Sequence, residues 1–70
     1  MSTLKSLDTA FKEARRVYAL SLIAADASPD SAREKMYYQA SLIKRRIIAA
    51  ENSLKHGRPM IAMSFLEGIG

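Results

Sequence analysis

The sequence predicts an all-α protein: an antiparallel hairpin of two long helices followed by a short C-terminal helix. Apolar residues recur at intervals of three and four along most of the chain, which is the spacing of one helix face. Proline and glycine interrupt helices, and within the chain they fall at two places, Pro29 and the stretch from Gly57 to Pro59. We therefore expect one small helical domain over residues 1–70. The expected helices span residues 3–25, 29–56 and 59–66.

The first predicted helix has one seam of apolar residues. Its members are Leu4, Leu7, Phe11, Ala14, Tyr18 and Ala25, with Ser21 at the intervening step. A seam of this spacing packs against a neighbouring helix. Asp8 precedes Lys12 by four residues, which places the two charges side by side. Beyond Val17 the apolar residues spread around most of the helix, so this half needs cover on several sides.

The interruption at Pro29 predicts a tight turn between the two long helices. Proline fits the first turn of a helix, where its missing N–H group has no partner to lose. Ser28 then serves as the cap, and Asp30 lies favourably in the first turn. A capping box formed by Ser31 and Glu34 is the alternative. A connection this short makes the two helices antiparallel neighbours.

The second predicted helix has apolar residues on two sides. Its main seam consists of Met36, Ala40, Ile43, Ile47, Ala50 and Leu54. A second strip lies off this seam and consists of Tyr38, Leu42, Ile48 and Ala49. A helix with two apolar strips has neighbours on two sides. We expect the core, or a seam with a second copy, to include Leu7, Phe11, Ala14, Tyr18, Ile43, Ile47 and Leu54.

The stretch from Lys55 to Met60, KHGRPM, has two interpretations. Gly57-Arg58-Pro59 resembles half of an AT-hook, the short element that binds the DNA minor groove. The same residues also describe a helix that stops at glycine and restarts after proline. The second interpretation is favoured, because an AT-hook also needs arginine before the glycine, where this chain has His56, and flexible basic flanks.

The last segment, Met60 to Leu66, is short and almost wholly apolar. It folds back over the hairpin and covers the second strip, or it docks on another protein through its adaptable methionine side chains. We favour the fold-back, because an exposed apolar segment of this size promotes aggregation.

The composition argues against catalysis and against bound cofactors. There is no cysteine, and His56 is the single histidine, so neither a disulfide nor a metal site is expected. The acids are scattered, and no glycine-rich phosphate loop or nucleophile motif occurs. We expect a non-enzymatic protein with no cofactor and no small-molecule substrate.

The sequence also argues against membrane insertion. The longest apolar-rich run, Val17 to Ala25, has nine residues, whereas a membrane-spanning helix needs about 20. The first residues contain scattered charges, unlike a secretory signal. We expect a cytoplasmic protein without a transmembrane segment.

The net charge of +4 is concentrated in one segment. Residues 35–50 contain four basic residues and no acid, while the remaining residues balance seven bases with seven acids. This segment is a solvated helix face or a surface for an acidic protein or for phosphates. The candidate partner-binding residues are Arg33, Tyr38, Lys44, Arg45 and Arg46.

A chain of 70 residues buries only about 60% of the surface that it exposes when unfolded, so its core is marginal. Both long helices have more apolar surface than one hairpin covers. We therefore expect a homodimer that forms a helical bundle. The expected function is binding another protein as an adaptor, inhibitor or regulator. The alternative is a small DNA- or RNA-binding regulator that uses the basic face of residues 33–46.

Overall fold

The computed structural model describes the backbone of residues 3–69 and the side chains of residues 7–69. Over these residues the fold is a hairpin of two long helices with a short third helix packed against both, which confirms the predicted all-α hairpin. The helices are α1 (Thr3–Asp26), α2 (Asp30–Lys55) and α3 (Pro59–Glu67). Each observed boundary lies within one residue of the predicted one.

The turn between α1 and α2 is stabilised by a side-chain hydrogen bond to the last turn of α1. The Ser28 hydroxyl donates a hydrogen bond to the carbonyl of Ala24, at 2.7 Å. It therefore satisfies a carbonyl in the last turn of α1, and the prediction that Ser28 caps α2 is wrong. The cap position of α2 is Pro29, without a side-chain hydrogen bond, and Asp30 lies in the first turn as predicted. The Tyr37 hydroxyl donates to the Asp26 carboxylate and ties the two helices together beside the turn.

The connection between α2 and α3 is a helix stop at glycine, as the favoured interpretation of KHGRPM predicts. Gly57 has a φ of 75°. Its N–H donates to the Leu54 carbonyl at 3.0 Å, and the Arg58 N–H donates to the Ser53 carbonyl at 2.8 Å. These two bonds form the Schellman arrangement that closes a helix through a left-handed residue. Pro59 then begins α3.

The core occupies the end of the hairpin where α3 packs, which we call the α3 end. Its buried members are Leu7, Phe11, Ala14, Ile47, Ala50, Ala62 and Leu66. Tyr18, Ile43, Met63 and Phe65 are partly buried against them. Because Ala62 and Leu66 are nearly inaccessible, the fold-back of the last segment is confirmed. Leu54 is an exception among the predicted core residues, since it is 37% exposed at the rim of the hairpin.

The opposite end, which we call the turn end, has only two helices. Ala25 and Ala40 are buried there, and their small side chains let α1 and α2 approach closely.

The prediction that α3 covers the second strip is wrong, because only Ala49 is half-buried and Tyr38, Leu42 and Ile48 stay exposed. Tyr38 and Leu42 lie towards the turn end, beyond the nine residues of α3. Ile48 lies level with the core but leaves α2 about 100° from the buried Ile47.

Candidate functional site

The structure does not bring the five candidate residues onto one face. Lys44, Arg45 and Arg46 are consecutive on α2, so their side chains leave the helix about 100° apart. Arg46 turns towards α3, where its Nη1 donates to the Phe65 carbonyl at 3.5 Å. The Arg46 guanidinium also lies against Gly68. It thus places positive charge at the C-terminal end of α3, where a helix dipole favours it.

Arg33 is engaged at the turn. Its Nη1 lies 3.2 Å from Oδ1 of Asp30, and its Nη2 donates to the Ser28 carbonyl at 3.3 Å. These contacts hold the chain between α1 and α2, so the first role that the structure gives Arg33 is to fix the hairpin turn.

Tyr38 and Arg45 do share a face, and Leu42 lies between them. The three residues are four and three positions apart, which places them in one row along α2. Tyr38 is 62% exposed and Leu42 is 40% exposed. This row is therefore an exposed surface with an aromatic, an aliphatic and a cationic member.

An apolar groove lies between α1 and α2 at the turn end, and we call it the open groove. Its volume is about 320 Å³, and its lining residues are Val17, Leu20, Ser21, Ala24, Met36, Gln39 and Ile43. The Ser21 hydroxyl donates to the carbonyl of Val17 at 2.8 Å, so this polar group is already satisfied. The open groove therefore offers aliphatic contacts and few groups that would orient a polar small molecule.

Of the row, only Leu42 is a helical neighbour of a residue that lines the open groove, because it follows Gln39 by three positions. Tyr38 and Arg45 lie on the outer side of α2.

The open groove lies in line with α3. Val17 lines it and also lines the smaller cavity, about 220 Å³, where α1 meets Leu66 and Ile69 of the last segment. The two cavities belong to one long groove between α1 and α2, which we call the lane. Helix α3 fills the lane at one end, and the open groove is the part that stays unfilled. Sequence reasoning placed surplus apolar surface beyond Val17 but did not identify a groove, because the position of α3 along the hairpin decides where the lane stays open.

Exposed apolar residues form both rims of the open groove. On α1, Leu20 is 54% exposed and Ile23 is 64% exposed. Arg16 precedes Leu20 by four residues and extends this rim towards the α3 end. On α2 the exposed neighbours of the lining residue Gln39 are Lys35 and Leu42, four and three positions away. Each rim therefore combines exposed hydrophobic surface with one cation.

The net charge of the chain is concentrated in two helix segments. These segments, residues 13–24 and 34–46, enclose the open groove and contain six basic and two acidic residues. The remaining residues contain five of each. The whole net charge of +4 therefore lies in these two segments, within which Arg15 lines the opposite groove and Arg46 turns towards α3.

A second groove on the opposite face has a different character. It is lined by Asp8, Phe11, Arg15, Glu51, Asn52, Leu54 and Lys55, so charges of both signs are mixed along it. Arg15 lies over the Phe11 ring, with its Cζ atom 5.2 Å from the ring centroid. Asp8 and Lys12 form the expected ion pair nearby, at 3.2 Å and with both side chains well exposed. This opposite groove serves as an internal control for experiments on the open groove.

The described residues contain no group of three or more histidine, cysteine, aspartate or glutamate side chains that could hold a metal ion. Nor is any described helix long and apolar enough to cross a bilayer. Comparisons with protein-family models, curated protein sequences and solved structures return no match for this chain. Function must therefore be argued from the open groove and its charges.

Proposed function

We propose that this chain is a non-catalytic module that binds another protein through the open groove. The observation that carries the proposal is the lane between α1 and α2, which α3 fills at one end and leaves open at the turn end. Apolar grooves bordered by exposed aliphatic and aromatic side chains are typical of surfaces that receive a helix.

The accessible surface supports the need for a partner. The chain presents 5218 Å² of accessible surface, whereas a compact monomer of its mass presents about 4,400 Å². The excess is about 800 Å², which is also about what one protein loses in an interface of standard size. Covering the open groove and its rims would bring the accessible surface back towards the usual value.

Self-association is one way to provide this cover. Two copies that face each other through the turn ends would form a four-helix arrangement, the homodimer that the sequence favours. A heterologous adaptor, inhibitor or regulator complex is the other way. Both use the same apolar rims, and they differ in which charges meet.

Binding of nucleic acid is the second candidate, and the concentration of net charge in the two helix segments favours it. The exposed Leu20, Ile23 and Leu42 oppose it, because a phosphate backbone offers no apolar surface to cover them. Arg46 is engaged with α3 and Arg33 with the turn, which leaves fewer free cations. Titration of duplex DNA at several salt concentrations tests this candidate, since phosphate contacts give a steep loss of affinity with salt.

Site-specific photocrosslinking in cells tests the protein-binding function. A photoreactive residue is placed at Leu20 or Leu42, and the matched control position is Asn52, which lines the opposite groove. We expect the same protein adduct from both rim positions and none from Asn52. Excess unlabelled wild-type chain should suppress the adduct, whereas a Leu20→Ser, Leu42→Ser variant should not. A failure of both rim positions to give an adduct would contradict the proposed function.

A further inference from the structure

We propose that the occupant of the open groove is an acidic amphipathic helix of another protein. This inference rests on the proposed protein-binding function and goes further by naming the chemistry of the partner. It follows from the shape of the lane, from its length and from the sign of the surrounding charge.

The shape argument comes from α3 itself. This helix lies in the same lane at the α3 end and buries Ala62 and Leu66 between α1 and α2. A helix is therefore the element that the lane already accepts. The open groove continues that lane with Val17, Leu20 and Ala24 on one side and Met36, Gln39 and Ile43 on the other.

The length argument uses helix geometry. Residues 30–45 of α2 extend about 22 Å beyond the level of Arg46 at 1.5 Å per residue. This distance accommodates a helix of about 14 residues. Such a helix would present apolar residues at positions i, i+3 or i+4, and i+7 to the groove, as helices in grooves usually do.

The charges beside the open groove indicate which residues flank the apolar face of the partner helix. Arg16 precedes Leu20 by four residues and Lys35 precedes Gln39 by four residues, so each rim of the open groove carries one exposed cation. Glu13 lines the adjoining cavity beside α3, and the chain as a whole has a net charge of +4. A partner helix with acidic flanks would be attracted and oriented by this excess.

The same argument disfavours a second copy as the preferred occupant. A second copy brings an identical face, so its net charge of +4 would meet a like charge across the interface. Like charges brought together in a partly desolvated interface cost binding free energy. A partner with negative net charge can therefore cover the apolar rims at a lower electrostatic cost than a second copy.

Three synthetic helical peptides of about 14 residues test the inference. The first has an aliphatic stripe at helical spacing with glutamate on both flanks. The second has the same stripe with lysine in place of every glutamate. The third has the composition of the first, with the stripe broken by exchanging apolar and glutamate positions. Fluorescence anisotropy gives the affinities, and methyl NMR shifts of Leu20 and Leu42 locate the binding site.

We expect the glutamate peptide to bind and to shift the methyl signals of Leu20 and Leu42. The lysine peptide should bind at least about tenfold more weakly at low salt, and the broken stripe should abolish binding. The Leu20→Ser, Leu42→Ser variant should lose binding but keep its helical content, because both side chains are exposed.

A matched pair of charge variants completes the test. Neutralising both rim cations, Arg16→Gln and Lys35→Gln, should weaken binding of the glutamate peptide about fivefold. Neutralising two cations outside the open groove, Lys12→Gln and Lys55→Gln, removes the same charge and should change its affinity less than about twofold. Lys12 pairs with Asp8, and Lys55 lines the opposite groove.

Four outcomes would overturn the inference. Equal binding of the glutamate and lysine peptides would show a groove that is indifferent to charge. Binding without shifts of the Leu20 and Leu42 signals would show a different surface. Preferential binding of duplex DNA, lost in the variant without the two rim cations, would identify nucleic acid. Binding of no peptide would also overturn it. In each case the photocrosslinking from Leu20 and Leu42 still decides the protein-binding function, so the two failures are distinguishable.

Discussion

Gly57 is the residue on which the end of α2 depends. Its φ of 75° lies in the left-handed region, where a side chain strains the backbone. No atom lies within 4 Å of the position that a Cβ atom would occupy, so the requirement for glycine is conformational and not steric.

Replacing Gly57 with alanine should lower the free energy of unfolding by about 1 kcal/mol, because alanine resists the left-handed conformation. Gly57→Asn is the control and should lower it less, since asparagine visits that conformation more readily. Urea unfolding followed by circular dichroism measures both. Equal losses in the two variants would contradict the conformational explanation.

Gly68 requires a small residue for a different reason. It lies at the end of α3 in a right-handed conformation, and an added Cβ atom would clash with the Arg46 guanidinium. The far end of an arginine side chain is flexible, so the contact would be relieved when Arg46 moves away from the Phe65 carbonyl.

Gly68→Ala should therefore cost about 0.5 kcal/mol in the wild-type chain and less in an Arg46→Ala background. A double-mutant cycle of unfolding free energies measures this coupling. Gly57→Ala in the same background is the control and should be additive, because no atom surrounds its added Cβ. Additive costs for Gly68→Ala and Arg46→Ala would refute the contact between them.

At the scale of elements, α3 is the helix that depends most on its neighbours. Nine residues are too few to form a stable helix alone in water. Ala62 and Leu66 hold it in the lane between α1 and α2, while Met60, on the same helix, is 78% exposed. The stability of α3 therefore comes from packing and not from its own sequence.

Truncating the buried anchor, Leu66→Ala, should lower the free energy of unfolding by about 2–3 kcal/mol, because it removes contacts and leaves a cavity. Met60→Ala is the matched control on the same helix and should change it by less than about 0.5 kcal/mol. Thermal unfolding measures both variants. If the two costs were equal, α3 would not pack as described.

The three helices also show how far local sequence specifies this fold. The proline and glycine breaks place every helix boundary within one residue, because these residues act through backbone geometry that neighbours cannot change. Ser28 is the counter-example, since its hydroxyl had two possible partners and the carbonyl of Ala24 in α1 took it. Capping choices of this kind depend on the path of the chain in three dimensions.

At the scale of the whole molecule, the hairpin is long and thin. Its principal extents are 43 × 20 × 14 Å, and its radius of gyration is 13.4 Å, compared with about 11 Å for a compact domain of this length. The long dimension follows from the length of α2, whose 26 residues span about 39 Å, while α3 thickens only one end of the hairpin.

Salt should promote self-association of the isolated chain. At low salt the net positive charge of the chain opposes a homodimer, and added salt screens this repulsion while the apolar rims remain. Sedimentation equilibrium should therefore show a larger dimer fraction as salt rises. The Leu20→Ser, Leu42→Ser variant should remain monomeric at every salt concentration. A dimer fraction that falls with salt would place the contact on oppositely charged surfaces instead, such as the opposite groove.

The sequence by itself determined the helices, their ends, the main core residues and the presence of surplus apolar and basic surface, because each of these follows from spacing along one helix. It could not show that Arg46 turns towards the Phe65 carbonyl on α3. Nor could it show that Arg33 is held at the turn or that Leu20 and Leu42 lie on the two rims of one groove.

Only the tertiary structure decided where the open groove lies. The position of α3 along the hairpin sets which part of the lane is filled, and that position depends on how Ala62 and Leu66 fit among residues far away in the sequence. Such packing sums many weak contacts between distant segments, which no local pattern encodes.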